Sequence, residues 1–71
     1  MMTVDVFHSK DDSAWCVRVR SIGQNRVVSR HRTKKAAIRR AKKEAKALGA
    51  RIDVYKKDGT LQRTLNYGWQ L

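Results

Sequence analysis

One stretch of this chain has a helical period, Thr33 to Gly49, and its apolar side is built mostly from alanine. Ala37, Ile38, Ala41, Ala45 and Leu48 fall within an arc of ~100° when residues are placed about 100° apart. Lys35, Arg39, Lys42, Lys43 and Lys46 fall on the opposite side. Side chains this small let a helix axis lie close to whatever it covers, which suits a sheet. Thr33 is the expected N-cap, since its hydroxyl can accept a free N–H of the first turn. Gly49 is the expected left-handed terminator.

The rest of the chain has the period of two that belongs to strands. Thr3 to His8 reads as a first strand, with Val4 and Val6 on one face. Ala14 to Ser21 is the clearest: Trp15, Val17 and Val19 alternate with Cys16, Arg18 and Arg20. Gly23-Gln24-Asn25 supplies turn chemistry. Arg26 to Arg32 then returns with Val27, Ser29 and His31 on one face and Arg26, Val28, Arg30 and Arg32 on the other. After the helix, Arg51 to Lys56 and Thr60 to Leu65 form a pair around Lys57-Asp58-Gly59, where Gly59 suits positive φ. Asn66 to Leu71 is an aromatic tail carrying Tyr67 and Trp69.

The expected fold is therefore α+β, in the order β-β-β-α-β-β, with one helix on one face of a mostly antiparallel sheet. A right-handed crossover allows the fourth strand beside the first, giving strand order 3-2-1-4-5. The expected core is Val4, Val6, Trp15, Val17, Val19, Val27, Ala37, Ile38, Ala41, Ala45, Leu48, Ile52, Val54, Leu61 and Leu65. The 71 residues fit one small domain, with residues 1–65 as its core fold and 66–71 as its tail.

Charge narrows the function. Seventeen Lys/Arg stand against six Asp/Glu, a net +11, whereas a small domain ordinarily carries a net charge of roughly 2–8 in magnitude. Residues 26–46 hold ten Lys/Arg and a single acid, Glu44, so +9 of the total sits in one block. Concentrated positive charge is the electrostatic footprint of a nucleic-acid binder. Cys16 stands alone, which excludes an internal disulfide and suits a reducing cytoplasm, with association to the chromosome as a further expectation. One Cys with only His8 and His31 is a poor zinc set. No apolar run approaches 18 residues, so no membrane span and no membrane partner are expected. No paired carboxylates, Gly-rich phosphate loop or nucleophile–base arrangement appears, so neither an enzyme nor a cofactor is expected.

Trp15-Cys16-Val17, Thr33-Lys34-Lys35-Ala36-Ala37-Ile38, Ala41 to Lys46, Ile52-Asp53-Val54-Tyr55, Lys57-Asp58-Gly59 and Tyr67-Gly68 follow one pattern. Over residues 14–68 the chain resembles a small prokaryotic family, the domain of unknown function 2188. The resemblance implies an α+β fold and no established activity. The chain departs from that family in its helix, where Glu44 is the only acid. The layout of three strands then a helix, with W-x-V-R-V-R in the second strand, is also similar to plant AP2 domains and integrase arm-binding domains, the likeness covering residues 14–48. Those lay a three-stranded sheet in the major groove of DNA.

Two basic surfaces follow. Arg18, Arg20, Arg26, Arg30 and Arg32 are expected on the sheet face away from Trp15, where like charges on neighbouring strands repel unless an anion joins them. Arginine's planar fork suits phosphate and guanine edges. The alternative is a face neutralised by Asp53 or the tail. The second surface is the helix, with Arg39, Arg40, Lys42, Lys43 and Lys46, and with Lys34 and Lys35 near its start. The sheet is the favoured contact and nucleic acid the favoured partner, DNA ahead of RNA. A module docking on an acidic protein is the alternative, and pairing of two copies through a sheet edge is compatible with either.

Overall fold

The computed structural model describes residues 2–66. The chain folds as β1 (Thr3–Ser9), β2 (Ala14–Ser21), β3 (Gln24–His31), α1 (Lys34–Leu48), β4 (Arg51–Tyr55) and β5 (Leu61–Asn66). One five-stranded sheet has the order β3-β2-β1-β4-β5. Pairings β1–β2, β2–β3 and β4–β5 are antiparallel, while β1–β4 is parallel, so the sheet is mixed. The fold is α+β, with the element order and strand order expected from the sequence. From Tyr67 onward the tail lies outside the described residues.

Both ends of α1 form as the sequence predicts. The Thr33 backbone is extended and its Oγ1 accepts from the Ala36 N–H at 3.1 Å. Gly49 takes φ 64° and its N–H donates to the Ala45 carbonyl. Ala37, Ala41 and Ala45 are fully buried, so the helix sits directly on the sheet. Beneath it, Val4 and Val6 of β1 pair with Ile52 and Val54 of β4, and Val6 also faces Val17 of β2. These five residues are completely buried. Trp15, Val19, Val28, Ile38 and Leu65 pack around this centre while partly exposed. α1 lies over β1 to β4 and stops short of β5, which leaves a groove along one flank.

The edge strands depart from simple alternation, each at a bulge. Between β2 and β3 the register shifts at Val17/Arg18: Val17 faces Ser29, but Arg18 faces Val27. Val28 is the extra residue and packs on the core, while Val27 turns to the other face, the reverse of the expected arrangement. Between β4 and β5 the shift lies at Val54/Tyr55, with Arg63 facing Val54 and Leu61 facing Tyr55. Leu61, expected in the core, is thereby turned to the far face and is 55% exposed. A bulge re-aims every side chain beyond it, and alternation read from sequence cannot register the extra residue. Leu48, also expected inside, is 39% exposed at the last turn of α1. The core also takes residues not expected there: Ala50 on the helix side, and Thr3, Asp5, Cys16 and Asp53 on the far face of the sheet.

Candidate nucleic-acid interface

Those buried polar residues govern the sheet face. Asp5 alternates with Val4 and Val6, so it points away from the helix, and the hairpin register sets it opposite Arg18. Its carboxylate is completely buried, and an unpaired buried charge is costly. Two guanidinium groups close over it. Arg18 Nε donates to Asp5 Oδ2 at 3.0 Å. Arg20 holds both oxygens, Nε to Oδ2 at 2.8 Å and Nη2 to Oδ1 at 3.2 Å, a bidentate fork. The hydrogen bond to Asp5, then its charge, raises the Arg20 guanidinium above its ordinary pKa.

The cluster continues sideways. Arg20 Nη2 also reaches Asp53 Oδ2 at 3.4 Å, and Asp53 takes a further ion pair from Arg51 at 3.5 Å and a hydrogen bond from the Thr64 hydroxyl at 3.0 Å. Arg18 lies over the Phe7 ring, 4.6 Å from its centroid, a cation–π contact. Arg30 Nε donates to Asp12 at 3.1 Å in an exposed pair. The anion that the arginine face was expected to need is thus largely internal. Cys16, on this same face opposite Arg30, is covered, and burial raises its thiol pKa against the opposing pull of Arg30.

Two other expected members of that face lie elsewhere. The β3 bulge pairs Arg26 with Val19, so Arg26 stands on the helix side. Arg32 follows the end of β3, exposed in the link to α1 rather than on the strand. Of the five arginines predicted to share one surface, Arg18, Arg20 and Arg30 share it, and each of these three contacts a carboxylate.

The helix is arranged differently. Lys35, Arg39, Lys42, Lys43 and Lys46 are exposed, as their spacing predicts. Glu44, the only acid of α1, is occupied on the flank facing β3, where Arg40 Nε and Nη2 both donate to its Oε1, at 3.0 and 2.8 Å. On the flank facing β5, a groove of about 570 Å³ runs between the two elements. Lys34, Lys35, Arg39 and Lys42 line its helix wall, Gln62 and Arg63 its strand wall, and half-buried Ile38 its floor. Among the described residues no acid lines it. Lys34 is tied down: its Nζ donates to the Gln62 side chain and lies over the Trp15 ring, 5.3 Å from the centroid.

Sequence reasoning missed Arg63 because it lies outside the 26–46 block. Its signal was present, since it stands two residues from Leu65 and so shares the helix side of β5 with it. It also missed Asp5, whose position opposite Arg18 follows from the hairpin register. Among the described residues no cluster of three or more His, Cys, Asp or Glu could hold a metal, and no helix is long and apolar enough to cross a membrane.

None of the curated proteins and none of the solved structures compared matches the chain. Residues 4–67 match a family described as an uncharacterized protein conserved in bacteria. That match spans nearly all of the sheet and helix just described, and the chain belongs to this bacterial family, DUF2188.

Proposed function

We propose that this protein binds nucleic acid, DNA in preference to RNA, by electrostatic contact with phosphates, and that α1 rather than the sheet makes the contact. The observation that carries this is the row of exposed cations Lys35, Arg39, Lys42, Lys43 and Lys46, for which the described residues provide no ion-pair partner. Cations left facing one another repel, and a polyanion relieves that repulsion while releasing its own condensed counterions. Arg18 and Arg20, by contrast, already commit donors and half of their combined charge to the buried Asp5.

The test is fluorescence anisotropy of a labelled duplex across a salt series. Five phosphate contacts give a log–log slope of about −4.5 on B-DNA. A slope flatter than about −1 would refute the proposal, because fewer than two contacts would then be made. A matched RNA duplex should bind more weakly at every salt concentration.

A further inference from the structure

The two flanks of α1 are unlike. Toward β3, the cleft holds Arg26 and the Arg40–Glu44 pair beside polar Ser21 and Gln24 and apolar Val28 and Leu48, so one of its two cations is already neutralised. Toward β5, the helix cations are met by Arg63 from the opposite wall. This arrangement follows from the fold: α1 stops short of β5, and Arg63 sits opposite Val54, on the helix side of the sheet. The Lys34–Gln62 hydrogen bond ties the first turn of α1 to the β5 bulge, holding the two walls together at one end.

We infer that the α1–β5 groove is a track for the sugar–phosphate backbone of one nucleic-acid strand, gripped between Lys35, Arg39 and Lys42 on one side and Arg63 on the other. The inference rests on the nucleic-acid reading above and adds to it a second wall, from outside the helix. From residue 35 to residue 42 the helix rises about 10 Å at ~1.5 Å per residue. A B-DNA strand advances about 3.4 Å along the axis per phosphate, so a row of this length meets roughly three of them. Cations on both walls neutralise phosphate oxygens from two directions. Lysine and arginine heads aimed at phosphate carry no base information, so the track fixes position without reading sequence. Arg63 is the residue that separates this arrangement from a helix lying flat on a duplex, because a flat helix has no use for it.

The deciding experiment compares Arg63→Gln with Lys57→Gln, an equal loss of charge at the β4–β5 turn. Both positions are exposed, so both variants should melt like the parent protein. Binding is measured by anisotropy to two DNA duplexes of unrelated sequence and to one single strand. Arg63→Gln should weaken binding about three- to tenfold and flatten the salt slope by about 0.9, equally on both duplexes. Lys57→Gln should change affinity less than about twofold. On the single strand, Arg63→Gln should also weaken binding, since the contact is to backbone. Indistinguishable variants would overturn the groove while leaving the helix reading standing. A loss confined to one duplex would overturn backbone recognition. Absence of salt-dependent binding by the parent protein would remove the nucleic-acid reading itself.

Discussion

The far face of the sheet and the outer face of α1 both carry several basic residues, yet they differ in how much of that charge is available. On the sheet, Arg18 and Arg20 share the buried Asp5, Arg20 and Arg51 share Asp53, and Arg30 holds Asp12. On α1, Arg40 is held by Glu44, and the cations beyond it face solvent. A count of Lys and Arg treats the two surfaces alike. The positions of six acids decide between them, and three of those acids, Asp5, Asp12 and Asp53, lie with the sheet arginines. Charge that is concentrated in sequence is therefore not the same thing as charge that is uncompensated in space.

The largest expected effect breaks the sheet side of this contrast. Asp5→Ala leaves Arg18 without its carboxylate and Arg20 with Asp53 alone, and should cost about 3 kcal/mol in urea denaturation, as expected for removing one member of a buried ion cluster. DNA affinity of the folded fraction should stay unchanged. A tight gain in affinity would mean that the freed arginines are the binding surface after all, and a stability loss below about 1 kcal/mol would mean that the cluster is no more than a surface pair.

A smaller effect sharpens the helix side. Thr33→Ala removes the hydroxyl that accepts from Ala36 and should cost about 1 kcal/mol. Because the loosened turn carries Lys34 and Lys35, the variant should also bind DNA more weakly than its thermal melt alone accounts for. Equal affinity at a temperature where it is fully folded would show that the first turn does not contribute.

The smallest effect concerns an acid of a different kind. Asp58 is fully exposed, and it accepts from the Thr60 backbone N–H at 3.0 Å and from the Thr60 hydroxyl at 2.7 Å. The backbone hydrogen bond, followed by the hydroxyl, lowers its pKa below the ordinary 3.8. A depressed carboxylate contributes stability that is present above its unfolded pKa and is lost as pH falls through the folded one. Asp58→Ala should therefore destabilise the protein slightly at neutral pH, and the gap between variant and parent should close below about pH 4. A gap that persists in acid would assign the effect to the turn backbone instead.

How much of this was legible in the sequence depends on how local the cause is. The helix, its Thr33 and Gly49 ends, the alanine stripe and the central strands follow from residues close in the chain, and the structure has them where the pattern places them. Val28 was misplaced because it is itself the unpaired residue of a bulge, and Val27, Arg26 and Leu61 because each lies past a bulge on an edge strand, where one unpaired residue reverses the face of those beyond it. The two grooves of unlike charge, and the place of Arg63 in one of them, depend on how far α1 reaches across the sheet.

The sequence by itself determined the element order, the strand order and the helix's basic outer face, because period, caps and turn residues act over a few positions. The pairing of Asp5 with Arg18 and Arg20 was not read from it, because that depends on the hairpin register. Only the tertiary structure decided which charge is free. Ion pairing depends on distances of about 3 Å between residues thirteen to thirty-three positions apart, and burial of one carboxylate binds two arginines that would otherwise count toward a nucleic-acid surface. The arginine sheet favoured from sequence is therefore mostly occupied by its own acids, whereas the outer face of the helix carries a row of five cations without an ion-pair partner among the described residues.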